Sequence, residues 1–256
     1  MTPIITLEGV YKAFGPKQVL RGVDLVAGTG RNLVIIGGSG TGKSVAIKCI
    51  LGLLKQDKGI IRWRGNDMAR MGRTDWQTFM ESVGMLFQGG ALFDSLKVWE
   101  NIAFAPLQTR TITTAQAKEL AITKLAAVGL NSEVAWLSPA ELSGGMMKRV
   151  GLARAIATDP EIIFFDEPTT GLDPIMTDVI NDLIASVVRT LGATAITITH
   201  DMSSVRKIAD DVAMLHNGNI IWRGPADAMD ECGNPYVEQF IHGRADGPIQ
   251  MPVHRA

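Results

Sequence analysis

The chain is expected to be an α/β protein with a mainly parallel sheet, and three observations carry that expectation. Short apolar runs at residues 32–36, 162–165 and 194–199 are brief and rich in β-branched or aromatic residues, as buried strands are. Stretches with helical spacing, residues 44–54 and 174–191, lie between them. Buried strands alternating with helices build a sheet with helices on both faces. The opening third differs. Residues 4–10, 19–26 and 60–63 read as strands parted by Gly15-Pro16 and Gly28-Thr29-Gly30, which predicts an antiparallel β annex.

Further elements follow in order. Residues 83–87 form another apolar run. Residues from about 91 to 157 read as mostly helical, a helical subdomain; the clearest stretch is 114–128, amphipathic behind the cap signal Thr113-Thr114. Residues 212–215 and 219–222 flank His216-Asn217-Gly218, where Asn-Gly predicts a tight hairpin. Residues 243–256 have glycine, two prolines and no apolar periodicity, and are expected to form an extended tail.

The composition excludes several classes. At 256 residues the chain can bury a substantial core, and 46% hydrophobic with 20% charged residues is a globular balance. A net charge of −1 gives no basic field for nucleic acid. Cys49 and Cys232 lack metal spacing and are expected to be reduced thiols in a cytoplasmic protein. The opening Met1-Thr2-Pro3-Ile4 lacks the regions of a signal peptide. No apolar run approaches the roughly 20 residues of a membrane helix, so a membrane role is expected to come through docking to another chain.

Two motifs carry chemistry. Gly37-Gly38-Ser39-Gly40-Thr41-Gly42-Lys43-Ser44 sits between a strand and a helix and fits a phosphate loop. Its glycines let backbone N–H groups converge on phosphate oxygens, and the helix start adds positive potential. Lys43 would contact the β- and γ-phosphates, and the Ser44 hydroxyl would ligate Mg²⁺. Asp166-Glu167 closes the strand at 162–165, at the strand end that faces the ligand crevice of such sheets. Asp166 would hold Mg²⁺, and Glu167 would act on the attacking water.

Three further residues admit two readings each. His200, after the strand at 194–199, either reaches a γ-phosphate or is a structural hydrogen-bonder. Gln88 either touches Mg²⁺ or the attacking water, or is a surface glutamine. Phe14 either stacks on a base or belongs to the core.

Leu142-Ser143-Gly144-Gly145-Met146-Met147-Lys148-Arg149 narrows the class. With Phe14, the phosphate loop, Gln88, Asp166-Glu167, Gly171-Leu172-Asp173 and His200, in that order, the chain resembles the ATP-binding-cassette family over roughly residues 4–240. The resemblance implies a phosphate-loop NTPase core carrying an antiparallel β annex and a helical signature subdomain, an ATPase domain over 1–240, and a tail over 241–256. It implies ATP and Mg²⁺ as cofactors, with Ser44, Gln88 and Asp166 at the metal and Glu167, His200 and Gln88 in catalysis. It also implies two chains meeting head to tail, each ATP taking Ser143, Gly144, Gly145 and Asp173 from the partner. A serine and two glycines opening a second helix, at 146–157, fit an anion-seeking helix start with little use around a single nucleotide of its own chain.

Met146 stands where the family usually has Gln, and Val45 where it usually has a second hydroxyl residue. Gly-Lys-Ser-Val, Gln-x-x-Ala-Leu-Phe-Asp-Ser-Leu and Leu-Ser-Gly-Gly-Met-x-Lys-Arg look like the Mla/Mce-associated ATPases. That likeness implies an ATP-hydrolysing subunit on the cytoplasmic face of the inner membrane. It would power phospholipid or other hydrophobic transport between the membranes of a Gram-negative bacterium. Implied partners are a second copy, an integral-membrane permease, an Mce-type lipid-binding protein and a small cytoplasmic regulatory subunit. Leu92, Phe93, Leu96, Val98 and Trp99 would line the groove for the permease, or serve as helical core. A small-solute importer ATPase shares every catalytic motif. A non-transport cassette ATPase fits less well, because the chain has one cassette, no heptad insertion and near-zero net charge.

Overall fold

The structure, a computed structural model, describes residues 2–250. The first two strands, β1 (Pro3–Phe14) and β2 (Lys17–Gly28), form a long antiparallel hairpin across Gly15-Pro16. Both outrun the predicted 4–10 and 19–26, because irregular register, with a shift between Leu7 and Val10, lets β1 bend and keep pairing. Next come β3 (Asn32–Ile36) and α1 (Lys43–Ile50), which ends four residues earlier than its spacing predicts. β4 (Lys58–Trp63) and the two-residue β5 (Asn66–Asp67) complete a sheet of order β2-β1-β4-β5. Gly59 in β4 is obligatory: a Cβ there would lie 2.2 Å from the Gly9 carbonyl oxygen of β1.

Then follow α2 (Arg73–Glu81), β6 (Val83–Leu86), α3 (Val98–Ile102), α4 (Phe104–Gln108), α5 (Thr114–Ala127) and α6 (Gly144–Ala155). The expected helical stretch 91–157 is interrupted, since residues 91–97 are a loop and α5 and α6 are joined through short 3₁₀ turns. Thr113 and Gln116 form the cap expected for α5, with the Thr113 N–H donating to Gln116 Oε1 at 2.8 Å. The remainder is β7 (Ile162–Asp166), α7 (Pro174–Leu191), β8 (Thr194–Ile198), α8 (Met202–Ile208), β9 (Asp211–His216), β10 (Asn219–Pro225) and α9 (Pro235–Ile241). Asn217 and Gly218 both take positive φ, 48° and 81°, as the tight turn between β9 and β10 requires.

The six-stranded sheet runs β10-β9-β3-β8-β7-β6, parallel except at β10. Its strands read as unbroken apolar runs because both faces are covered. Val34, Ile36, Ile163, Phe165 and Ala195 enter the core with α5, α6 and α7. Leu33, Ile35, Ile162, Phe164 and Ile196 enter the core with α1 and the antiparallel sheet. Phe164 and Phe165 are both fully buried, so neighbouring residues of one strand anchor opposite layers. Of the described residues, 243–250 form neither helix nor strand, and the rest of the expected tail, 251–256, lies outside them. Among the described residues no helix is long and apolar enough to cross a membrane.

Candidate nucleotide site

The phosphate loop leaves the buried end of β3 and turns into α1. Gly37 fits only because it has no side chain: a Cβ would lie 2.2 Å from the Leu215 carbonyl oxygen of β9. Residues 38–44 floor a cleft of about 790 Å³, which Gln88, Asp166, Glu167 and His200 also line. The topology explains the gathering. Gln88 follows β6, Asp166 ends β7 and His200 follows β8, so parallel neighbours deliver their C-terminal ends to one edge.

Lys43 is buried and its Nζ donates to the Gly37 and Gly38 carbonyls at 2.7 and 3.0 Å, closing the loop on itself. Burial pulls its ammonium below the usual lysine range, while Glu167 and Asp166 pull the other way. The Ser44 hydroxyl stands 3.5 Å from Asp166 Oδ1. Burial, then the charge of Glu167, pushes the Asp166 carboxyl above its ordinary range, and the Ser44 contact pulls it back. A carboxylate so placed favours a cation beside it. Among the described residues no three His, Cys, Asp or Glu side chains gather as a metal cluster. One carboxylate and one hydroxyl next to a phosphate loop suit Mg²⁺, which keeps water and substrate phosphate among its ligands.

Glu167 adopts φ +49°, a left-handed conformation that costs a non-glycine residue about 1–3 kcal/mol. Its N–H donates to the Ile198 carbonyl at 2.9 Å, which fixes the strained backbone to β8. The side chain accepts a hydrogen bond from Thr170 Oγ1 at 2.7 Å and lies 2.7 Å from His200 Nδ1. His200 is itself 57% exposed, so it is not a buried structural histidine. Beneath this pair, the Ser204 hydroxyl of α8 contacts Thr169 at 3.2 Å, receives Asn181 Nδ2 at 2.9 Å and donates to Asp201 at 2.7 Å. This buried group ties the segment after Glu167 to the one after His200.

Phe14 is exposed at the end of β1, with Lys12 Nζ 5.5 Å from its ring centroid, so the core alternative does not hold. It does not line the cleft, where Lys17 and Val19 of β2 stand instead. Ser143, Gly144, Gly145 and Asp173 do not line the cleft either. Ser143 caps α6 by accepting from the Met146 N–H at 3.3 Å. Asp173 caps α7, accepting from the Ile175 and Met176 N–H groups at 3.0 Å. The two caps adjoin, because a Cβ on Gly145 would lie 2.5 Å from Met176 Cε. Ile175 beside them is 77% exposed.

Of the apolar groove residues, Val98 is fully buried and cannot face a partner, and Leu92 and Trp99 pack against the core. Phe93 remains exposed, tilted on Phe104 at 4.4 Å between centroids. Asn101 holds its loop, accepting from the Phe93 N–H and donating to the Phe93, Leu96 and Lys97 carbonyls.

Sequence reasoning missed several contributors. Lys148, buried in α6, donates to the Gln88 carbonyl, and Arg154 donates to the Gly90 and Ala91 carbonyls at 2.7 and 2.8 Å. Thr170, Lys17 and residues 239–249 were also unmarked. Hydrogen-bond partners 60 residues apart leave no local signal; Thr170, three residues from Glu167, is the exception that spacing could have found.

Residues 20–170 match the family model described as ABC transporter. The chain is 40% identical to Protein TRIGALACTOSYLDIACYLGLYCEROL 3, chloroplastic, of Arabidopsis thaliana, covering 96% of this chain and 76% of that one. It is 37% identical to the intermembrane phospholipid transport system ATP-binding protein MlaF of Escherichia coli K12, covering 96% and 91%. A solved dimeric ATP-binding cassette in a post-hydrolysis state, bound to ADP and Pi, superposes with a TM-score of 0.78 at 26% identity, over 87% of this chain and 98% of that one. With the loop, the carboxylate pair and the signature helix in place, the chain belongs to the ATPase subunits of ABC transporters, enzymes that bind and hydrolyse ATP.

Proposed function

We propose that this ATPase powers the movement of phospholipid, or a similarly hydrophobic molecule, between the two membranes of a Gram-negative bacterium. The observation that carries this reading is the match to MlaF at 37% identity over 96% of this chain. Residues 1–240 act as the ATPase domain, with a helical subdomain about 91–157 and a tail over 241–256. The chain works as a head-to-tail homodimer on the cytoplasmic face of the inner membrane. Its partners are an integral-membrane permease, an Mce-type lipid-binding protein and a small cytoplasmic regulatory subunit.

In this reading Lys43 and the loop N–H groups of residues 38–44 bind the triphosphate, and Phe14, outside the cleft but paired with the cleft-lining Lys17, stacks on a base that reaches past its rim. Ser44, Asp166 and Gln88 hold Mg²⁺, which when bound neutralises charge developing on the phosphate oxygens. Glu167 orients and deprotonates the attacking water, the task for which Thr170 and His200 fix its carboxylate. Ser143, Gly144, Gly145 and Asp173 act on the partner's nucleotide. The dimeric state of the superposed cassette supports that arrangement. Phe93, rigidly presented by Asn101, offers the permease an apolar knob.

The test is reconstitution of the affinity-purified complex into vesicles containing a fluorescent phospholipid. ATP-dependent transfer of the phospholipid to acceptor vesicles through the lipid-binding protein is expected, and is lost with Glu167→Gln. Activity that depends instead on a soluble solute and its binding protein would overturn the assignment in favour of small-solute import.

A further inference from the structure

The segment that follows α9 is built rather than loose. The Gln239 side chain is buried, and its amide satisfies itself wholly on the backbone of residues 244–249. Nε2 donates to the Arg244, Ala245 and Ile249 carbonyls at 3.2, 3.4 and 3.0 Å, and Oε1 accepts from the Ile249 N–H at 2.6 Å. Gly247, at φ +154°, lies against that same side chain, and a Cβ there would come within 2.4 Å of Gln239 Cδ. Ile249 packs against the apolar core. One buried amide thus stands in for the missing sheet or helix partners of this turn.

The turn has a definite address. Gln239, Phe240, Gly243, Arg244, Ala245 and Ile249 line the same cleft as the phosphate loop, Asp166 and Glu167. Lys43 spends two hydrogen bonds on its own loop. Arg244 is exposed and makes no ion pair among the described residues. A guanidinium at the wall of a cleft that receives a polyanion is placed for contact with phosphate.

We propose that residues 239–249 form a wall of this chain's own ATP site, and that Arg244, held there by Gln239, contacts the phosphate chain of the bound nucleotide. This rests on the ATPase reading and adds binding residues to it. A partly screened ion contact of this kind is worth about fivefold in affinity at moderate salt.

The experiment uses the full chain carrying Glu167→Gln, so that ATP binds without turnover, with affinity measured by displacement of a fluorescent ATP analogue. Adding Arg244→Ala should weaken ATP about fivefold, Arg244→Lys should recover part of the loss, and Gln239→Ala should weaken ATP while leaving the arginine in place. In parallel, ATP should slow tryptic cleavage after Arg244, read by mass of the released C-terminal peptide. Unchanged affinity in Arg244→Ala, or cleavage after Arg244 that ATP does not slow, would overturn the proposal. Failure of the Glu167→Gln chain itself to bind ATP would sink the ATPase reading instead, so the two failures are distinguishable.

Discussion

Two helix starts in this molecule share nearby glycines and the positive end of a helix dipole, yet they are finished to different degrees. At α1 the chain supplies everything within one cleft: a buried lysine, a hydroxyl, two carboxylates and a histidine, gathered by parallel strands. At α6 it supplies only the exposed Ser143-Gly144 turn, with Asp173 and the exposed Ile175 nearby and no residue in that cleft. On the proposed function the first is a site and the second is half of one. Motif strength therefore does not measure completeness. The sheet topology does, since it decides which residues share an edge.

Substitutions can break or sharpen this contrast. The largest effect is expected from Glu167→Gln, which should lower steady-state ATP turnover about 10²–10⁴-fold while preserving ATP binding. Ser143→Ala should lower turnover by about 10–100-fold, the worth of a hydrogen bond to a charged phosphate. It should leave nucleotide affinity of the dilute chain nearly unchanged; if binding and turnover fell together, α6 would belong to the chain's own site and the contrast would collapse. Lys148→Met leaves the Gln88 carbonyl without its donor and should cost about 1–3 kcal/mol in urea unfolding.

The smallest effect concerns pH. Burial, then the charge of Glu167, favours the neutral Asp166 acid, so the folded chain holds that proton more tightly than the unfolded chain. Its folded pKa lies above the unfolded one, so the contribution to stability is present below the ordinary carboxylate range and is lost as pH rises through the folded value. Asp166→Asn should therefore raise Tm of the nucleotide-free protein by about 2–4 °C near neutral pH. The gain should shrink towards about pH 4 in thermal melts.

The parallel core was legible in the sequence because residues such as Phe164 and Phe165 are apolar on both sides of one strand, a pattern few surface segments share. The phosphate loop, the Asn217-Gly218 turn and the Thr113 cap were legible because each is local. Helix α2 escaped because Phe79 alone is buried along it, which leaves no periodicity. Helix α8 escaped because it is only seven residues long, too short for a periodic apolar pattern to show. Helix α9 has a readable start, Asn234 capping and Pro235 at the first turn, in a stretch to which the sequence reading assigns no element. At the site, neither the Lys148 of the Leu142–Arg149 motif nor Arg154 carries a local sign of its partner. Only the fold brings them to carbonyls about 60 residues away.

Those carbonyls have a mechanical consequence. Near its C-terminal end α6 presses on β6 so closely that a Cβ on Gly84 would lie 2.1 Å from the Ala155 carbonyl oxygen. It also grips residues 88–91 at two places, through Lys148 in its first half and through Arg154 beside the Gly84 contact. A rod fixed to a strand at one end and to a loop at two points is a brace. A displacement of residues 88–91 relative to Ser143, at the start of the same helix, would have to break these charge-assisted attachments.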